Sequence, residues 1–292
     1  MPNTTILLIA APAVLLAAGP AWLAALGGRV ETGAAGEITA VDLRASWVTD
    51  GDLLDLARLP ALRRLDLSRT RITDQGLSYL KQAAGMEEVN LAFAEKIGDP
   101  AHATVQQWKK LRRLTLRGTV IADETAAAAA RLPGLESLDI ADTIVGDVGI
   151  ESLSLAPKLR ELAIGNTRIS ELGYQSLRQF TTLETLDLSG GRHRGPATLN
   201  EQSVEAVASL RQLRVLRLGH TKFPAKSMAV LRTLENLERL GLEYSPEVND
   251  DAIPHLIAWR SLRVVDLHGT KVTAEGAARL RAARPDCRVL WE

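Results

Sequence analysis

Residues 62–85 read LRRLDLSRTRITDQGLSYLKQAAG, and their hydrophobic period changes midway. Leu62, Leu65 and Leu67 follow the pattern L-x-x-L-x-L, in which alternating side chains suit a short strand with one buried face. Leu77, Leu80 and Ala83 are spaced by three, which lays one apolar stripe along a helix of about two to three turns. The same unit recurs with starts at Ile38, Met86, Leu111, Leu135, Leu159, Leu183, Leu213, Leu237 and Leu262. Most starts are 24 residues apart; the Met86 and Leu237 units run one residue longer and the Leu183 unit six longer. Ten full units and a truncated closing strand, CRVLWE, therefore occupy residues 38–292.

A strand followed by a helix, repeated, must cross over right-handedly and set its strands parallel. No unit buries its leucines alone, so stacking makes the core and one elongated domain is expected. Helix starts are marked by Thr49-Asp50, Thr73-Asp74, Ser170-Glu171 and Thr273, a hydroxyl to cap free amides and an acid beside the positive helix end. Where the chain leaves each strand, one column reads Ser46, Thr70, Thr119, Thr143, Thr167, Thr221, Ser245 and Thr270, with Ala94 and Gly191 as exceptions. A buried hydroxyl there satisfies loop backbone that stacking hides from water.

These residues resemble the leucine-rich-repeat superfamily. They are particularly similar to bacterial members reading LxxLxLxxTxITDxGLxxLxxL, with Thr where many relatives carry an Asn ladder, and the closing RPDCRVLWE, residues 284–292, is similar to the ending of such arrays. The resemblance implies an α/β fold: a ribonuclease-inhibitor-like, right-handed β-α solenoid of about ten repeats. Its curved parallel sheet would lie on the concave face, its short helices on the convex face, and its protein or other ligands on the concave strand face. The departures are the Leu183 unit, which lacks the Thr, and the absence of cysteine-rich end caps.

Residues 5–27 contain no charged side chain and, as a helix, would reach roughly 34 Å, enough to span a bilayer. They read as a signal peptide cut after Gly27, as a retained anchor ending at Arg29, or as a buried helix of the fold. The first two readings assign 1–27 to export or anchoring and place the rest outside the cytoplasm, as a secreted, periplasmic or membrane-anchored protein. Residues 28–37, GRVETGAAGE, read as a short linker, leaving 38–292 as the repeat domain.

Composition narrows function. Lys and Arg number 35 and so do Asp and Glu, a balance that argues against bulk electrostatic binding to nucleic acid or anionic lipid. A single Cys excludes an intramolecular disulfide framework. No G-x-x-x-x-G-K-[ST], G-x-G-x-x-G, H-E-x-x-H or G-x-S-x-G occurs, the five histidines lack metal spacing, and Cys287 sits in the closing strand as a packing residue. No cofactor is expected.

Positions three, five and seven of each strand are expected to point out of the concave face, where acids and bases mix rather than form a basic groove. Two places stand out. One joins the excess of the Leu183 unit, GGRHRGPATLN at 190–200 with Arg192, His193 and Arg194 at its tip, to Arg217, His220, Arg239, Glu243, Tyr244, Asp266 and His268 from three successive units; this is the candidate partner-binding surface. The other is an apolar set at the strand-to-loop edge, Trp47, Phe93, Val120 and Ile144. The expectation is a non-catalytic scaffold, exported or membrane-tethered, that binds a protein partner, does not bind nucleic acid and meets the membrane only through residues 5–27. The alternative is a regulatory subunit or activator of an enzyme, as some leucine-rich-repeat proteins act on GTPases or select ubiquitin-ligase substrates. Catalysis by His220, Glu243 and His268 is disfavoured because two of them stand two units apart, about 10 Å.

Overall fold

A computed structural model of the chain describes residues 20–191, 197–223 and 226–292. Each unit contributes one rung, numbered 1 to 10 from the Ile38 unit onward. Ten strands of three to five residues, one per rung, stack in parallel in a single sheet with the closing strand Arg288–Leu290. The register has no offset: Val41, Leu65, Val89, Leu114, Leu138, Leu162, Leu186, Leu216, Leu240, Val265 and Val289 form one row. All of these side chains are buried, as are the leucines that open each unit. At about 1.5–3 kcal/mol per buried aliphatic side chain, this row and its neighbours supply the cohesion of the array.

Short helices, from Asp52–Leu56 to Ala274–Ala283, return the chain from one strand to the next. Their starting acids act across rungs as well as on their own helix. Asp50 accepts hydrogen bonds from the Thr73 amide and hydroxyl at 2.8 and 2.6 Å. Asp147 does the same for Ser170, and Asp250 for Thr273. Asp99 accepts from the amides of Ala122, Glu124 and Thr125 and from the Thr125 hydroxyl, and this set holds its carboxyl below the usual range against the opposing effect of burial. The glycine three residues after the capping threonine follows from the same contact: a Cβ on Gly76 would stand 2.2 Å from Asp50 Oδ1, and one on Gly276 2.2 Å from Asp250 Oδ1.

The two 25-residue units share further features. Each opens its helix with a 3-10 turn, Asp99–Ala101 or Asp250–Ala252. Each also carries a buried tryptophan whose indole N–H reaches back one rung, Trp108 to the Leu80 carbonyl at 3.1 Å and Trp259 to the Leu234 carbonyl at 3.2 Å.

The amino-terminal end departs from expectation. Residues 28–37 are not a linker: β1 (Arg29–Thr32) pairs antiparallel with β2 (Ile38–Asp42) and covers what would be an open sheet edge. Glycine-rich composition masked a strand of only four residues. Just before it, α1 (Ala21–Ala25) places Leu23 fully in the core, and the Gly28 amide donates to the Leu23 carbonyl at 2.8 Å. Residues 21–25 thus form a five-residue helix packed on the array, and a cut after Gly27 would remove Leu23 from the core. Among the described residues no helix is long and apolar enough to cross a membrane. Residues 1–19 lie outside the described residues.

At the other end Arg284 is the closing device. Its buried guanidinium donates to the Leu262 carbonyl at 2.8 Å, to the Trp259 carbonyl, and to Asp286, whose carboxyl it holds down to about 2. The neighbouring Cys287 is buried and its thiol is pushed up by burial, the opposite of a reactive thiolate.

Candidate interaction surfaces

The chain leaves nearly every strand through the same turn. Position eight is left-handed on nine rungs, with φ between 53° and 69° at Ala45, Arg69, Phe93, Gly118, Asp142, Asn166, His220, Tyr244 and Gly269. The hydroxyl that follows it donates to the last core carbonyl of the strand, Thr70 to Leu67, Thr119 to Leu116 and Thr143 to Ile140, each at 2.6 Å. Only two of the nine turns use glycine. Bulky residues in this conformation cost about 1–2 kcal/mol each, so something must hold Phe93 and Tyr244 there. It is the next rung: a Cβ on Gly118 would stand 2.4 Å from the Phe93 ring, and one on Gly269 2.4 Å from the Tyr244 ring. On the opposite side Arg69 lies 5.6 Å from the Phe93 ring centre, and His220 stacks on Tyr244 at 4.8 Å and 16°. Each ring is thus slotted between two rungs, with its edge in solvent.

The concave columns stand in the expected register, and most of their acids are engaged. Asp66, Asn90, Asp139, Asp187 and Asp266 each accept the amide two residues on, at 2.9–3.0 Å. Arg117 bridges Asp139 and Asp142 at 2.9 and 3.0 Å, yet burial still raises the Asp139 carboxyl. At the amino-terminal end a depression of about 580 Å³ is lined by Arg29, Glu31, Asp42, Arg44, Arg64 and Asp66, with Arg64 paired to Glu31 and Arg44 to both aspartates.

The candidate partner-binding residues divide into three groups. Arg192, His193 and Arg194 lie outside the described residues. The insertion that carries them rejoins the array as Ala197–Thr198, which pairs in parallel with Thr221–Lys222, and buries Leu199. Arg217, Arg239, Glu243 and His268 do share the concave face of rungs 8 to 10. There Glu243 lies across Gly219 and Gly241, where a Cβ would meet its carboxylate at 2.3 and 2.9 Å. Burial, with Asp266 and Asp187 nearby, raises the Glu243 carboxyl despite Arg217. His268 Nδ1 sits 2.7 Å from Asp266 Oδ1. His220 and Tyr244 are not concave-face residues: their left-handed turns carry them out of the sheet onto the flank where the chain exits the strands. The reading by alternation failed there because alternation ends where extended backbone ends. Among the described residues no group of three His, Cys, Asp or Glu side chains could hold a metal ion.

One flank went unread in the sequence, and the charges of the other did too. On the flank where the chain runs into the strands, position two reads Arg63, Glu87, Arg112, Glu136, Arg160, Glu184, Arg214, Glu238 and Arg263, an unbroken alternation over nine rungs. Arg63 pairs with Glu87 at 2.8 Å, Arg112 with Glu136 at 2.9 Å, Arg214 with Glu238 at 2.6 Å and Arg263 with Asp286 at 2.7 Å; Arg160 pairs with Glu184. Aligning the units by position would have shown it. The exit flank is the reverse. Its exposed cations Arg69, Arg71, Lys96, Arg168, Lys222 and Lys271 take part in none of the ion pairs found among the described residues. Of the apolar edge set, Trp47 is 82% exposed and Val120 50%, whereas Phe93, 41% exposed, packs its ring between rungs and leaves its edge in solvent.

The Leucine Rich repeat family profile matches residues 59–81, the second unit and its approach. Over 102 residues the chain is 34% identical to leucine-rich repeat-containing protein 42 of Bos taurus, a match covering 32% of this chain and 23% of that protein; the chain thus spans less than a quarter of the curated relative. An internalin from Listeria monocytogenes is similar in structure, with a TM-score of 0.57 at 19% identity over 81% of this chain and 69% of its own. The ectodomain of the Arabidopsis receptor kinase HAESA, solved with a peptide hormone ligand, gives 0.56 at 16% identity over 83% of this chain and 40% of its own. With ten in-register parallel rungs, the hydroxyl-closed turn and these neighbours, the fold is a leucine-rich-repeat solenoid.

Proposed function

We propose that this chain is a non-catalytic interaction scaffold, exported or tethered through its amino-terminal segment, that takes a protein partner on the concave face of rungs 8 to 10. The observation that carries the reading is the seat of Glu243. Gly219 and Gly241, on neighbouring rungs, leave the room that this carboxylate occupies, and burial with Asp266 and Asp187 nearby raises it. A half-buried carboxylate among acids suits a cation brought by a partner, with Arg217 and Arg239 at the margin to receive its acids. HAESA offers a precedent for a peptide on such an array.

Affinity capture from native membranes tests it. Glu243→Gln combined with Arg217→Ala should weaken capture at least about tenfold, and deletion of 191–196 should weaken it further if the insertion borders the site. Unchanged capture by the double variant would overturn the concave assignment. Protease accessibility of the repeats from outside intact cells checks export separately.

A further inference from the structure

We propose that two copies of this chain associate back to back through the helices of rungs 5 and 6. These helices span Asp147–Leu153 and Glu171–Ser176. Along their outer side, residues spaced by four and then three read Val148, Ser152 and Leu155 on one, and Leu172, Ser176 and Gln179 on the other. Val148 is 63% exposed, Leu155 78% and Leu172 72%. The neighbouring rungs are polar at these positions: Glu124 and Gln202 flank Val148 and Leu172, and Arg131 and Gln179 flank Leu155. Among the described residues the other exposed aliphatic side chain on a helix is Leu54, four rungs away. Between the apolar groups, Ser152 Oγ donates to the Val148 carbonyl at 2.9 Å and Ser176 Oγ to the Leu172 carbonyl at 3.3 Å. Both hydroxyls are satisfied within their own helices, so a second helix layer covers them without stranding a donor.

Charge selects a second copy as the occupant. Around the apolar set the exposed acids Glu124, Glu171 and Glu201 stand at helix starts, and the exposed bases Arg131, Arg178 and Arg211 at or just past helix ends, the arrangement each helix dipole favours. Asp123 and Asp147, at the same starts, are engaged by the amides of Gly146 and Ser170. A layer with one acidic and one basic margin repels a copy laid on it in parallel and fits one rotated by half a turn about an axis between rungs 5 and 6. That rotation sets rung 5 on rung 6 of the second copy and rung 4 on rung 7. Leu172 then meets Leu155 of the other copy, twice by symmetry. Glu171 meets Lys158, Glu124 meets Arg211, Arg131 meets Glu201, and Glu151 faces the amide of Gln175 instead of its own counterpart. Glu171 and Lys158 take part in none of the ion pairs found among the described residues; Glu124, Arg178 and Glu201 touch opposite charges of their own chain yet stay exposed. Two convex backs touch over a few rungs only, and the apolar set has that extent.

Sedimentation velocity of the full chain across a concentration series tests it. A monomer–dimer equilibrium is expected, and Leu155→Glu and Leu172→Glu should each weaken it at least about tenfold while the far-ultraviolet circular dichroism and the unfolding midpoint hold. E124K/E171K and R131E/R178E each make the two margins alike, so each should be monomeric, and their equimolar mixture should restore a dimer with one copy of each. A monomer at every concentration, a dimer untouched by either leucine substitution, or a mixture that stays monomeric overturns the proposal. Association through the apolar amino-terminal stretch would survive all four variants, and monomer binding to neutral vesicles that is lost in L172E would give the patch to a bilayer; either result overturns it too. Partner capture through Glu243 lies on the sheet side and should be indifferent to L155E, so failure here is distinct from failure of the concave-face reading.

Discussion

The two flanks of this solenoid are built from the same repeat and use charge in opposite ways. Where the chain runs into the strands, arginine and glutamate alternate rung by rung and pair across neighbouring rungs, Arg63–Glu87, Arg112–Glu136 and Arg214–Glu238 at 2.6–2.9 Å and Arg160 with Glu184. Where the chain leaves the strands, the turn is closed by buried hydroxyls and cross-rung aspartates, and the cations Arg71, Lys96, Arg168, Lys222 and Lys271 take part in none of the ion pairs found among the described residues. The difference teaches that a stacked array places its order where burial makes error costly. Exposed ion pairs contribute little to stability, so their regularity governs solubility and edge neutrality. The exit turn, by contrast, holds left-handed backbone and amides hidden by the neighbouring rung, where a missing partner is expensive.

Substitutions on the two flanks should therefore differ sharply. The largest effect is expected at Gly118. Gly118→Ala places a Cβ 2.4 Å from the Phe93 ring at a φ of +69°, which should cost about 3 kcal/mol in denaturant unfolding. Adding Phe93→Ala should recover the overlap and leave about 1 kcal/mol for the backbone. If the double variant is no better than the single, the ring is not slotted between the rungs.

Next in size is Asp99→Ala, which strips one acceptor from the amides of Ala122, Glu124 and Thr125 and should cost about 2 kcal/mol. This contribution also depends on pH. The folded value lies below the unfolded one, so the stabilisation is complete above the ordinary carboxylate range and is lost as pH falls through the depressed value. A wild type that loses no more stability on acidification than the variant would refute the cross-rung role. Smallest should be Arg112→Gln on the opposite flank. It breaks an exposed pair with Glu136, and its effect on the thermal midpoint should fade with added salt. A large, salt-insensitive loss there would break the comparison between the flanks.

Much of this was legible in the repeat. The period change in 62–85 set strand and helix, the column from Ser46 to Thr270 marked the turn, and the concave register placed Arg217, Arg239, Glu243 and His268 together. The rest was not, for physical reasons. His220 and Tyr244 were assigned to the concave face because strand alternation was carried one residue past the end of extended backbone. β1 went unread because four residues of strand have no period to detect, and its pairing with β2 is set by an edge that exists only once the sheet is stacked. Arg284 looked like part of a closing motif, yet its work is to reach the carbonyls of Trp259 in the preceding unit and of Leu262 at the start of its own.

Spacing alone was enough to specify stacked strand–helix units, since leucines that recur every 24 residues have no other way to leave water. Stacking was needed to set Arg63 against Glu87 and the Phe93 ring against Gly118, because residues a full unit apart in sequence become neighbours, about 4.8 Å apart, only when the strands pair.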